Sequence, residues 1–191
     1  YSAGVVALDL ATGKARWNYQ FTHHDLWDMD VGSQPTLVSL KTDDGVKPAV
    51  IVPTKQGSLY VLDRRDGTPI VPIREIPTPQ GAVKGDHTSP TQARSDLNLL
   101  GPELTEQAMW GATPFDQMLC RIQFRELRYE GQYTPPSEQG SLIYPGNVGV
   151  FNWGSVSVDP VRQLLFTSPN YMAFVSKMIP REQVADGSKR E

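Results

Sequence analysis

Cysteine is nearly missing from this chain: Cys120 stands alone among 191 residues. No internal disulfide can form, which suits the cytosol and equally a periplasmic protein that needs none. Long apolar runs are also missing. None approaches the roughly 20 residues that a membrane span requires, and no signal-peptide pattern precedes Tyr1. There is little excess of either charge, with 21 acidic against 18 basic residues and a net charge of -3. That balance gives no reason to expect nucleic acid or anionic lipid as a partner. A starting Met is absent too, and Tyr1 already lies in a strand pattern, so the chain reads as an excised fragment or processed product. Missing targeting segments therefore say little about the parent protein. What the chain has in quantity is Gly and Pro, sixteen of each. Such a turn-rich composition argues against a helical bundle.

Chemistry concentrates in His23-His24-Asp25-Leu26-Trp27-Asp28-Met29-Asp30. If Leu26 to Asp30 is extended, a period of two puts Leu26, Asp28 and Asp30 on one face, with Trp27 and Met29 on the other. Two carboxylates about 7 Å apart on one face are costly to bury unless a cation or a substrate proton compensates them. The segment is thus a candidate for general-base or metal chemistry. The His23-His24 pair suggests a transition-metal site, but no second ligand cluster follows at suitable spacing.

The chain repeats itself. Gly4-Val5-Val6-Ala7-Leu8-Asp9 leads through Thr12-Gly13 into Ala15-Arg16-Trp17-Asn18-Tyr19, and Gly57-Ser58-Leu59-Tyr60-Val61-Leu62-Asp63 leads through Asp66-Gly67 into Thr68-Pro69-Ile70. In both, an apolar strand ends on Asp and a Gly supplies the positive φ of a tight hairpin. A looser third copy runs from Gly154 to Pro160 and on to Gln163-Leu164-Leu165-Phe166-Thr167. Residues 34–40 and 48–53 read as two further strands. Four short strands per unit, at a repeat of about 40–50 residues, is the pattern of a propeller blade. An antiparallel sandwich is the alternative. The fold class is therefore all-β: a partial β-propeller of about three four-stranded blades, an arc of a larger ring.

Between Pro69 and Pro145 the pattern breaks, and ten of the sixteen prolines fall there. Residues 70–145 read as a Pro-rich insertion between blades, covering one face of the ring. Within it a short helix is expected near 114–128. Thr113 is a suitable N-cap, Pro114 sits at the first helical position, and Asp116 favours the positive helix end. Phe115, Met118, Leu119 and Ile122 share a helical face. Cys120 lies in this helix and reads as a packing residue.

Together these segments resemble a known group, the pyrroloquinoline quinone (PQQ) dehydrogenases of the membrane-bound glucose dehydrogenase type. The resemblance covers nearly the whole chain. It rests on Ala7-Leu8-Asp9 through Gly13-Lys14 to Trp17, similar to the family's tryptophan-docking blade motif, and on His24-Asp25-Leu26-Trp27-Asp28. It continues through Pro53-Thr54-Lys55-Gln56-Gly57, Met109-Trp110-Gly111-Ala112-Thr113-Pro114, Leu119-Cys120-Arg121, Phe151-Asn152-Trp153-Gly154-Ser155 and Met178-Ile179-Pro180.

The resemblance implies an eight-bladed parent ring and a role for each matching residue. Asp28 follows Trp in the family's His-x-x-Trp-Asp segment and would be the proton acceptor. Lys55, 27 positions later, matches the lysine that hydrogen-bonds the quinone oxygens; an arginine there marks the alcohol-oxidising relatives. Asn152 would contact the cofactor, and Trp153 would line the same pocket. Asp30 is a candidate metal ligand, with a hairpin or interface role as its alternative. The implied cofactors are PQQ and Ca²⁺ or Mg²⁺. The implied reaction is oxidation of a sugar hydroxyl, glucose to gluconolactone, with quinate or shikimate as a close variant and ubiquinone as electron acceptor. The implied location is the periplasmic face of the bacterial inner membrane, with membrane contact only through segments outside this chain. The other function class is a non-catalytic propeller scaffold, which has no reason to keep an acid–lysine pair 27 apart. Because half the implied cofactor pocket lies elsewhere, the isolated chain is expected to be inactive.

Overall fold

A computed structural model describes residues 2–184. Its centre is an antiparallel sheet of β3 (Thr36–Thr42), β4 (Gly45–Pro53) and β5 (Leu59–Asp63), in that order. Side chains alternate across a strand, so this sheet has two apolar faces to cover. Val50, Val52, Tyr60 and Leu62 pack against Val5, Trp17, Tyr19 and Phe21 on one side. These come from and just follow the hairpin β1 (Gly4–Leu8) and β2 (Ala15–Gln20). Ala49, Ile51, Leu59 and Val61 pack on the other side against Val150, Phe151, Val156, Val158 and Leu165. Face-to-face stacking of small sheets is how a propeller buries strands that would be half-exposed alone.

Each hairpin copy closes by the same device. The carboxylate of Asp9 accepts from the backbone N–H groups of Ala11 and Thr12. Asp63 accepts from Arg65, and Asp159 from Val161 and Arg162. Gly13 and Gly67 take the required positive φ of 68° and 79°; in the third copy Gln163 takes it at 58° without a glycine. Gly67 is needed twice over, because a Cβ there would lie 2.7 Å from the Trp17 ring. Trp17 docks on this turn and donates from Nε1 to the Arg64 carbonyl at 3.1 Å. One hairpin thereby grips the next, as the blade motif implied.

Asp63 also makes a forked ion pair with Arg65, 2.6 Å at its closest. That pair and the backbone N–H of Arg65 hold the carboxyl at about 2, below the ordinary 3.8. A depressed acid stabilises the fold above its ordinary range and loses that contribution as pH falls through the folded value. Asp63→Asn is therefore expected to flatten the acid limb of the stability curve between about pH 4 and pH 2, measured by denaturant midpoints at each pH.

The sheets are partial blades. The fourth position beside β5 is taken by a bridge from Leu62 to Pro69, with Ile70 donating to the Val61 carbonyl, rather than by a full strand. Two-stranded pairs complete the described sheets: β6 (Ile73–Pro77) with β7 (Thr91–Ser95), β8 (Ser141–Ile143) with β11 (Phe174–Ser176), and β9 (Ser157–Asp159) with β10 (Leu164–Phe166).

The helix α1 runs Pro114–Glu126, with a capping box in which Thr113 and Asp116 bond each other's backbone N–H. Its apolar residues Phe115, Met118, Leu119 and Ile122 are all exposed, and Cys120 is only half-buried. Within the described residues its packing is slight, with Phe124 half-buried and edge-on to Tyr129. Instead Glu106, on a preceding 3₁₀ turn, pairs with Arg121 and Arg125 at 2.6 and 2.5 Å. Among the described residues no helix is long and apolar enough to cross a membrane.

Candidate active site

Three loops on one rim supply the candidate groups. The first leaves β2 at Phe21 and runs to Ser33; the second is the β4–β5 turn, residues 54–58; the third follows β8, from residue 144 onward. A buried amide joins the first two. Gln56 donates to the Phe21 carbonyl at 3.1 Å and to the Tyr60 hydroxyl at 2.7 Å, and accepts from Thr22 Oγ1 at 2.8 Å. With every polar end of Gln56 engaged in a dry interior, the turn carrying its neighbour Lys55 is fixed against the first loop.

Asp25 shapes the first loop. Its two carboxylate oxygens accept from the backbone N–H groups of Trp27 and Met29, at 2.9 and 2.7 Å. Burial pushes its carboxyl above the usual range, those two bonds oppose the shift, and the charges of Asp28 and Asp30 add to it. Trp27 and Met29 are buried, and the Trp27 indole sits edge-on to Tyr133 and donates to the Thr134 carbonyl at 2.7 Å. Asp28 and Asp30 point the other way. The alternation expected over residues 26–30 is present, although the segment is no strand: Asp28 has φ 61°. A non-glycine residue pays about 1–2 kcal/mol for the left-handed region, here enforced by the Asp25 bonds on either side of it.

Asp28 and Lys55 converge. Lys55 Nζ donates to the Asp28 carboxylate at 3.1 Å and to the Asp28 carbonyl at 3.0 Å, and forms a further ion pair with Asp30. The lysine side chain is only 9% exposed, while Asp28 and Asp30 are 64% and 52% exposed. The ammonium therefore lies at the floor, with both carboxylates at the rim. Burial works against its charge, but the hydrogen bonds to Asp30 and Asp28 outweigh it and hold the pKa above the ordinary lysine value.

The third loop closes over this floor. Val150 donates its backbone N–H to the Lys55 carbonyl at 2.8 Å. Gly149 passes so close that a Cβ would lie 2.5 Å from Lys55 Cβ and Cγ, and its φ is 80°. Gly149→Ala is expected to destabilise the fold by about 2–4 kcal/mol, from left-handed strain plus overpacking, read as a lowered denaturant midpoint. Asn152 binds within its own loop: Nδ2 donates to the Val148 carbonyl and Oδ1 accepts from Trp153 N. That Oδ1 also faces Gly32, where a Cβ would approach to 2.6 Å. Asn152 thus abuts the loop that carries Asp30, whereas Trp153 is 89% exposed.

Asp28 also borders a cleft of about 250 Å³ lined by Leu26, Trp27, Pro136, Ile143, Asn147 and Phe174. Asn147 had no motif to mark it. Asp25 and Gln56 lie within the quoted motifs, but their positioning roles were not read, since their partners are backbone groups or distant in sequence.

Stacked hairpin sheets are the parts of a β-propeller, and the whole chain matches a family with that fold. Residues 1–191 match the PQQ glucose/ethanol/alcohol dehydrogenase beta-propeller domain, and the chain belongs to that family. It is 55% identical over 183 residues to the quinoprotein glucose dehydrogenase of Gluconobacter oxydans (strain 621H), covering 95% of this chain and 23% of that protein. It is 50% identical over 182 residues to the quinoprotein glucose dehydrogenase of Escherichia coli (strain K12), with the same two coverages. The family matches extend to a probable quinate dehydrogenase (quinone) from Xanthomonas campestris pv. juglandis and a glycerol dehydrogenase large subunit from Gluconobacter oxydans. Among solved structures, quinohemoprotein alcohol dehydrogenase ADHIIG of Pseudomonas putida HK5 superposes with a TM-score of 0.54 at 21% identity, over 94% of this chain and 21% of that one. That likeness is one of fold. The chain spans about a quarter of the length of the curated relatives it matches.

Proposed function

We infer that this chain is the part of a PQQ-dependent glucose dehydrogenase that supplies the catalytic base and a quinone-binding lysine. The observation that carries this reading is the 3.1 Å contact between Lys55 Nζ and the Asp28 carboxylate, made by two loops 27 residues apart.

The donor set suits a quinone. All three N–H bonds of the Lys55 ammonium are taken, by the Asp28 carbonyl, the Asp28 carboxylate and Asp30. To reach a quinone oxygen Lys55 yields one of them, and the exposed Asp28 carboxylate is the mobile partner. Asp28 is then free to accept the proton of a substrate hydroxyl in the adjoining cleft. PQQ, when bound, supplies the hydride-accepting centre. A positioned carboxylate base typically contributes 10²–10⁴-fold. Leu26, Ile143 and Phe174 give the cleft beside Asp28 apolar walls, and Asn147 offers it an amide for further hydroxyls.

The residues present do not by themselves fit Ca²⁺ or Mg²⁺. Such ions want six or more oxygens; here Asp28 and Asp30 already share one ammonium. With Lys55 charged, Asp30 serves as its counter-ion, and a metal's ligands would have to come largely from elsewhere in the parent protein.

The 55% and 50% identities to glucose dehydrogenases favour glucose over quinate or glycerol. Ubiquinone as acceptor and the periplasmic face of the inner membrane follow the same reading. The test is a dye-linked assay on the full-length protein reconstituted with PQQ and Mg²⁺ or Ca²⁺. Glucose is expected to exceed quinate and glycerol in kcat/KM by at least about tenfold; a preference for either of the others would overturn the substrate assignment.

A further inference from the structure

We propose that His24, Asp86 and His87 form a binding site for a divalent transition-metal ion of the zinc type, bridging the loop that carries Asp28 to the β6–β7 connection. The sequence offered only the His23-His24 pair, because the remaining ligands lie 62 and 63 residues beyond His24. Folding brings them together: one ligand atom from each of the three lies within 4.8 Å of the others. His24 Nε2 is 2.7 Å from Asp86 Oδ1, and the His24 and His87 rings stack with centroids 4.0 Å apart. His23 turns away to pair with Glu75 at 3.0 Å, so it is not a ligand.

The chemistry of this set is selective. Two imidazoles and one carboxylate match the three-ligand sites that hold zinc with a fourth position open to water. Hard Mg²⁺ or Ca²⁺ would seek more oxygens and fewer nitrogens. Around a tetrahedral ion with bonds of roughly 2.0–2.1 Å, ligand atoms stand about 3.3 Å apart. His24 Nε2 and Asp86 Oδ1, at 2.7 Å, already stand closer than that, and no pair in the set exceeds 4.8 Å. All three residues are exposed, so small side-chain rotations bring the atoms into place. The carboxylate is already oriented, since the backbone N–H of His87 donates to Asp86 Oδ1 at 2.8 Å. Asp86 Oδ2 takes no hydrogen bond from the described residues and is free to ligate. His24 itself sits at φ 46°, in the same loop that Asp25 fixes.

The experiment uses the full-length protein, free of PQQ and stripped of metal by chelation, titrated with Zn²⁺ by calorimetry and with Cu²⁺ by electron paramagnetic resonance. The wild type is compared with His24→Ala, His87→Ala and Cys120→Ser, each checked for folding by its thermal melt. One micromolar binding event is expected in the wild type and in Cys120→Ser. In His87→Ala and His24→Ala it should weaken by at least about tenfold, with the nitrogen hyperfine structure of the Cu²⁺ spectrum reduced from that of two imidazoles to one. His87 lies outside the Asp28 loop, so its variant remains informative if His24→Ala folds poorly. Unchanged titrations in the two histidine variants, no micromolar event in the wild type, or loss of the event in Cys120→Ser would each overturn the site and leave a hydrogen-bonded cluster.

Discussion

Asp28→Asn in the full-length, PQQ-reconstituted protein is expected to lose about 10²–10⁴-fold in kcat, the usual contribution of a positioned general base. Its fold and cofactor affinity should barely change. Lys55 keeps its bonds to the Asp28 main-chain carbonyl and to Asp30 in this variant. The left-handed backbone at position 28 is also one that Asn tolerates well. What is lost is the basic oxygen at the cleft. Asp30→Asn is the control: it touches the same ammonium but does not border the cleft containing Asp28. It should affect cofactor binding more than the chemical step. The quinone absorbance change on reconstitution reads binding, and steady-state kcat reads chemistry. Asp28→Asn within about threefold of wild type in kcat would remove Asp28 from the reaction.

Much of this architecture could be read before folding, because it is written in short-range chemistry. The Asp–turn–Gly hairpins need only neighbours, and they close as read at Asp9 and Asp63. The capping box at Thr113 is equally local. The alternation of residues 26–30 was legible for a different reason: Trp27 and Met29 must find a core, which forces Asp28 and Asp30 outward. What could not be read depends on distant partners. The apolar face of α1 reads as that of a packed helix, but Phe115 and Met118 find no cover among the described residues, where ion pairs to Glu106 tie the helix down. Nothing local marks Gln56 as the residue whose buried amide ties two loops. The blades were expected to be four-stranded. Beside β5 the run from Pro69 bonds for only a residue or two, since Pro69 and Pro72 cannot donate to a ladder.

Lys55→Ala is expected to be more damaging than its single charge suggests. The ammonium is the counter-ion for two carboxylates. Removing it leaves Asp28 and Asp30 to repel each other and to repel an anionic quinone. Turnover should fall by about 10²–10³-fold, as when one electrostatic donor at a reacting oxygen is removed, and the PQQ titration should shift to higher concentration. The buried stem matters separately, because it fills the space beneath Gly149. Lys55→Met keeps much of that volume and divides the two effects: it should restore stability lost in the alanine variant while leaving turnover low. Lys55→Arg keeps the charge but spreads it over a wider planar fork that must fit under the same glycine. It should bind PQQ better than Lys55→Met yet recover only part of the wild-type rate. If Lys55→Met matched wild type in both cofactor titration and kcat, the ammonium would have no part in gripping the quinone, and the 3.1 Å contact with Asp28 would be a structural ion pair alone.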